Sequence, residues 1–182
     1  MKRTPLKRGT KRLKRTPFKA KTAPAYKKRS TAILGTNKRR KKTPRQKAEE
    51  ELWELCKKII RKRYQNPTGG WTCYTSGQYI DEPAKCQTGH GKPKGALPLR
   101  FQYDLRNLRP QCYHANINLG GMQDIFIARL EREPEGLAFL QEACVKEDGE
   151  WKIRRDIPTM SGTDALIFLN EKIDEYTKIL LQ

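Results

Sequence analysis

Two histidines occur in this chain of 182 residues, His90 and His114. His90 lies in "KCQTGHGKPKG", between glycines and lysines, with no periodic apolar residues around it. So placed, it reads as an exposed loop residue, able to move a proton near neutral pH. Asn107 follows after seventeen residues and Asn116 after nine more. An imidazole, an amide able to hold it, and an oxygen donor for a hard cation are one set of groups that could hydrolyse a phosphodiester. The neutral ring takes a proton from water, and the cation is held against the phosphate.

The cysteines pose a different question. Cys73 in "TCYTSG" and Cys112 in "QCYHAN" each begin a C-x2-C knuckle whose second thiol is missing, because Ser76 and Ala115 fill those places. Four thiolates close a structural zinc site, and two leave the ion half-coordinated. Either packing has replaced the metal, or Cys86 and His114 join Cys73 and Cys112 in a Cys3His set. The second reading needs an awkward spacing, since His114 is only two residues beyond Cys112. Cys56 and Cys144 read as structural.

Taken together, residues Cys73 to Gly121 resemble the NinG (Rap) recombination nucleases of lambdoid phages, within the wider HNH, or ββα-metal, superfamily. The resemblance is carried by Cys73, Gly89-His90, "LRFQYDLRN" from Leu99 to Asn107, Gln111-Cys112, and Asn116 with Gly120 close behind. It covers about fifty residues, and the ordered set is the signal rather than any one piece. It implies a metal-dependent endonuclease that cuts branched DNA, such as Holliday junctions and D-loops, during phage recombination. His90 matches the general base, Asn107 the asparagine that orients it, and Asn116 a ligand to Mg²⁺ or Mn²⁺. Arg100, Arg106 and Arg109 are candidates for neutralising phosphate charge, with Lys92 and Lys94 as further DNA contacts. Two features depart from the family. Gly89 stands where many HNH sites carry a metal-binding Asp, which leaves Asp104 or Asn118 to help hold the cation. The missing thiols imply that structural Zn²⁺ has been lost while the catalytic trio is retained.

The elements that must position these residues follow from charge and periodicity. Residues 1–48 hold 20 of the 39 Lys and Arg and none of the 20 Asp and Glu, so residues 49–182 are close to neutral, at −1. "KRTPLK" at Lys2–Lys7 recurs as "KRTPFK" at Lys14–Lys19, with an echo in "KKTPR" at Lys41–Arg45. Proline and like-charge repulsion predict an extended, disordered arm that tracks phosphates. Pro44 can open a helix, and Leu52, Trp53, Cys56, Ile59 and Ile60 share one helical face. Extended pieces are expected at "WTCYT" and "LPLRFQY", and a short helix at "YHAN". Helices are expected over Met122–Glu133, over Pro134–Val145, and from the Ser161/Thr163 caps to the end. The last presents Leu166, Leu169, Ile173, Tyr176 and Leu180 to the body or to a second copy in a homodimer.

The expected fold is therefore α+β: a small ββα-metal core flanked by helices behind a disordered basic tail. Its divisions are the tail at 1–46, a leading helix at 47–65, the core at 66–121 and a helical region at 122–182. No run approaches the ~20 apolar residues of a membrane span, and an odd cysteine count without secretory features points to the cytoplasm, that of a bacterial host if phage-encoded. DNA is the expected partner, with no membrane role. The competing function is a non-catalytic DNA-binding accessory on a degenerate HNH or zinc-ribbon scaffold.

Deleting residues 1–42 should weaken binding to every DNA shape and flatten its salt dependence. On duplex the log–log slope should fall by about 0.9 for each phosphate that is no longer neutralised. Junction-over-duplex preference, measured at two salt concentrations, should survive. Its disappearance with the arm would contradict this division of labour.

Overall fold

The computed structural model describes residues 41–182. The arm expected to be disordered lies, up to residue 40, outside the described residues. The first helix, α1 (Pro44–Arg63), starts at a reciprocal cap. Thr43 accepts from the Gln46 N–H, the Gln46 side chain accepts from the Thr43 N–H, and Pro44 occupies the first turn, where a missing N–H costs nothing. Residues 44–46, assigned above to the tail, therefore belong to the helix. Arg61, Lys62 and Arg63 complete the last turn, where cations suit the helix dipole.

The apolar stripe of α1 packs on α5 (Gly162–Leu181), which Ser161 caps by accepting from the Asp164 N–H. Leu52, Cys56, Ile60 and Leu169 are fully enclosed, with Leu166, Ile173 and Leu180 packed against them. The Tyr176 hydroxyl donates to the Tyr103 carbonyl at 2.8 Å inside this core. Of the two partners expected for this stripe, the body of the chain is the one it packs on. A helix with one apolar face gains as much from an internal partner as from a second copy, and does so without the entropy of association.

Three two-stranded antiparallel sheets complete the α+β fold. β1 (Trp71–Thr72) pairs with β2 (Tyr79–Ile80). β3 (Cys86–His90) pairs with β4 (Leu108–Cys112), in a register that sets Cys86 opposite Cys112 and His90 opposite Leu108. Between them, the segment expected to be extended forms a single helical turn, α2 (Leu99–Gln102), behind Pro98. The reason is burial: one turn brings Leu97 and Phe101 together against Phe126 and Phe139.

A five-residue π-helix, His114–Asn118, follows β4 and rests on both β3 and β4. The two expected C-terminal helices appear as α3 (Gln123–Leu130) and α4 (Pro134–Ala143). Beyond α4 the chain makes an unexpected hairpin, β5 (Cys144–Glu147) and β6 (Glu150–Ile153). Its turn is Asp148-Gly149, both at positive φ, the dipeptide that favours such tight hairpins.

Candidate functional site

His90 ends β3 with its ring stacked on Trp53 of α1, the centroids 5.0 Å apart and the planes 16° from parallel. It is partly buried, not the exposed loop residue that its glycine and lysine neighbours suggested. The apolar surface that covers it comes from a helix remote in sequence. Its Nε2 is enclosed and has no hydrogen-bond partner among the described residues. Burial, and then the charge of Lys94, lower its pKa from 6.5 to about 4, so the ring is neutral at physiological pH.

Lys94 itself is held among aromatic faces. Its Nζ lies 4.2 Å from the Tyr103 ring centroid and 5.6 Å from that of Trp53. Burial draws its pKa down. Its charge acts on the imidazole of His90.

Asn107 is fully buried, and it grips backbone rather than the imidazole. Its Oδ1 accepts from the Lys92 N–H at 2.8 Å, and its Nδ2 donates to the Lys92 carbonyl at 3.0 Å. The Gly91 N–H also donates to the Asn107 carbonyl at 2.9 Å. The amide therefore fixes the chain immediately after His90, and positions the ring through its backbone. Gly91 permits this approach, because a Cβ there would meet Leu130 Cδ2 at 2.9 Å and Asn107 Oδ1 at 3.0 Å.

Two of the three residues expected to hold a cation have other partners. Asn116 is partly exposed on the 114–118 helix. Asp104 accepts from the Arg106 N–H and pairs with the Arg106 guanidinium at 2.7 Å, so its carboxylate is engaged. The Asn118 amide lies 3.2 Å from Nδ1 of His114. At position 89 a Cβ would fall 1.8 Å from Gln111 Oε1, so the place of the absent Asp is filled by a buried glutamine. Among the described residues, no three His, Cys, Asp or Glu side chains are grouped to hold a metal. This donor set does not fit a cation held by the protein alone.

The thiols converge without completing a zinc site. Cys73, Cys86, Cys112 and Ala115 share one buried cluster with Trp71 and Ile80, and Ser76 Oγ lies 3.7 Å from Cys112 Sγ. Burial raises the Cys73 pKa, but hydrogen bonds from the Ser76 hydroxyl and from backbone N–H groups of Cys112, Ser76 and Thr75 outweigh it, bringing the value to about 7. The turn after Cys73 closes with the Gly77 N–H donating to the Cys73 carbonyl at 2.9 Å. His114 is exposed and turned to Asn118, so the Cys3His set is not assembled.

The three arginines also separate. Arg109 is 1% exposed; it pairs with Glu133 and donates to the carbonyls of Leu105, Arg106 and Leu108. All of these partners lie within the fold, and almost none of the side chain meets solvent. Arg106 is clasped by Glu142 and Asp104, which hold its charge more firmly still. Arg100 is exposed, its guanidinium 5.1 Å from the Phe101 ring. Lys92 donates its ammonium to the Trp151 carbonyl.

Trp53 and Gln111 contribute in ways that the sequence does not indicate. Trp53 has the spacing of one more core position of α1, and Gln111 that of part of a knuckle. A polar residue inside a strand that carries Leu, Pro and Cys is the available signal for Gln111. Comparison with known protein families, curated proteins and solved structures found no match for this chain.

Gln111 Nε2 donates to Thr75 Oγ1 at 2.8 Å and to the Gly121 carbonyl at 2.9 Å, so any side chain at 89 must break both bonds. Gly89→Ala should cost about 1–3 kcal/mol in urea unfolding. The same change in a Gln111→Ala background should cost at least about 1 kcal/mol less. Equal costs in both backgrounds would show that Gln111 does not occupy the space.

Proposed function

We propose that the protein is an endonuclease that hydrolyses DNA phosphodiester bonds with His90 as its general base. One observation carries this: a neutral imidazole ends a strand whose continuation is clamped by a buried asparagine, and the antiparallel partner strand runs on into a short helix bearing Asn116. Two strands and a helix around such a ring are the arrangement expected of an HNH core.

His90 accepts the proton of an attacking water at Nδ1, since Nε2 is enclosed. The water oxygen bonds to phosphorus as the ester P–O bond breaks, and the leaving oxygen takes a proton from solvent. Asn107 keeps the end of β3 in place through Lys92. Lys94 supplies positive charge beside the ring, and Arg100 is the exposed arginine of the three candidates, able to meet a phosphate. A divalent cation is part of the resemblance to HNH nucleases, with Asn116 as a protein donor. Among the described residues no carboxylate joins it, so the steps written here use the chain's own residues. Branched DNA as substrate rests on the same resemblance, and the cationic arm suits any nucleic acid.

The enclosed Nε2 and the filled position at 89 favour a second reading, a DNA-binding accessory on an inactive scaffold. A labelled four-way junction, a duplex and a single strand, each with Mg²⁺, Mn²⁺ or chelator, separate the two. His90→Ala should lower cleavage by about 10²–10⁴-fold with little change in DNA affinity, because phosphate contacts dominate binding. A base with a pKa near 4 is unprotonated above that value, so activity should hold from about pH 8 down to 5 and fall as pH approaches 4. Cleavage by His90→Ala at the parental rate would remove His90 from the mechanism.

A further inference from the structure

A cleft of about 1270 Å³ lies between the loop that follows His90 and the β5–β6 hairpin. It exceeds the roughly 300–1,000 Å³ of ordinary small-molecule sites, which suits a segment of polymer. Its lining includes Lys92, Lys152, Arg154 and Arg155 against Glu147 and Asp156. Both acids are already countered, Glu147 by Lys152 at 3.1 Å and Asp156 by Arg154 at 3.0 Å. Arg155, which is exposed, and Lys92, whose ammonium meets a carbonyl, keep charges that no described carboxylate offsets. A cationic cleft in a body close to neutral is a local concentration of charge.

The walls between these charges are apolar. The register of β5 and β6 sets Val145 opposite Lys152, and Val145 is 43% exposed. Pro93 and Pro98 on the facing loop, and Ile157 beyond β6, line the same space. An undistorted duplex keeps its base faces stacked and offers chiefly phosphates, so it meets little of such walls. A strand with unpaired bases offers phosphates to the cations and base faces to proline and aliphatic side chains.

We propose that this cleft binds a strand with unpaired bases, through phosphate contacts at Arg155 and Lys92 and apolar contacts at Val145, Ile157 and the two prolines. The assignment rests on the nucleic-acid reading above and deepens it. Lys92, which lines the cleft, is also the residue whose backbone Asn107 clamps just after His90. Substrate choice at a branch then follows from the cleft, while the arm supplies affinity without shape.

The test uses the full chain in chelator, so that binding is read without cleavage, with fluorescence anisotropy on a blunt duplex and on a fork with splayed single-stranded arms. Arg155→Ala and Val145→Glu alter exposed positions and leave the core intact. Each should weaken fork binding by about 3- to 10-fold and duplex binding by less than about 2-fold, with Arg155→Ala lowering the fork salt slope by about 0.7. Parental fork affinity in both variants, or equal weakening on fork and duplex, would overturn the assignment. Failure of the nuclease reading looks different. A protein that cuts nothing yet loses fork binding in both variants keeps the cleft, whereas one that cuts forks while both variants bind as the parent loses only the cleft.

Discussion

A guanidinium removed from water must be paired and hydrogen-bonded, or the fold that buries it is lost. Arg109 imposes that constraint here. It is the largest fully buried side chain among the described residues, and its partners come from several parts of the chain. Glu133, between α3 and α4, pairs with it, and the Tyr74 hydroxyl holds the other oxygen of the same carboxylate at 2.7 Å. The rings of Tyr64 and Tyr74 lie 5.3 and 5.5 Å from the guanidinium, tying in the end of α1 and the segment after β1. Removing the Glu133 carboxylate leaves a buried charge short of compensation, a penalty of several kcal/mol rather than a fraction of one.

The same constraint reaches the imidazole. The carbonyls that Arg109 satisfies belong to Leu105, Arg106 and Leu108, which bracket Asn107. Asn107 is thereby set to grip Lys92, and Lys92 fixes the exit of β3. α1 then closes over the ring with Trp53. An arginine with the look of a phosphate ligand in the sequence acts instead as the support of the residue that would do the chemistry.

What is legible in the sequence follows the range of the interactions. α1 and α5 are readable because apolar spacing and capping residues are local, and Thr43 and Ser161 sit where caps belong. The α+β class and the core roles of Cys56 and Cys144 follow from the same patterns. The β5–β6 hairpin escapes a periodicity reading although Asp148-Gly149 announces it, because the helical period of Pro134–Val145 runs on into the first strand. The burial of His90, the grip of Asn107 on backbone and the filling of position 89 by Gln111 are not readable. Each depends on residues brought together from distant segments, and spacing along the chain carries no record of that. Arg109 shows the hardest case, since a buried arginine and a DNA-binding arginine have the same letter.

That His90 is held desolvated and neutral against Trp53 is the claim on which the chemistry turns. Its ring resonances can be followed by NMR through a pH titration of the full chain. The midpoint should fall near 4, and Trp53→Ala should move it up toward the ordinary histidine value as water reaches the ring. A midpoint near 6.5 in the unaltered protein would contradict the enclosed imidazole.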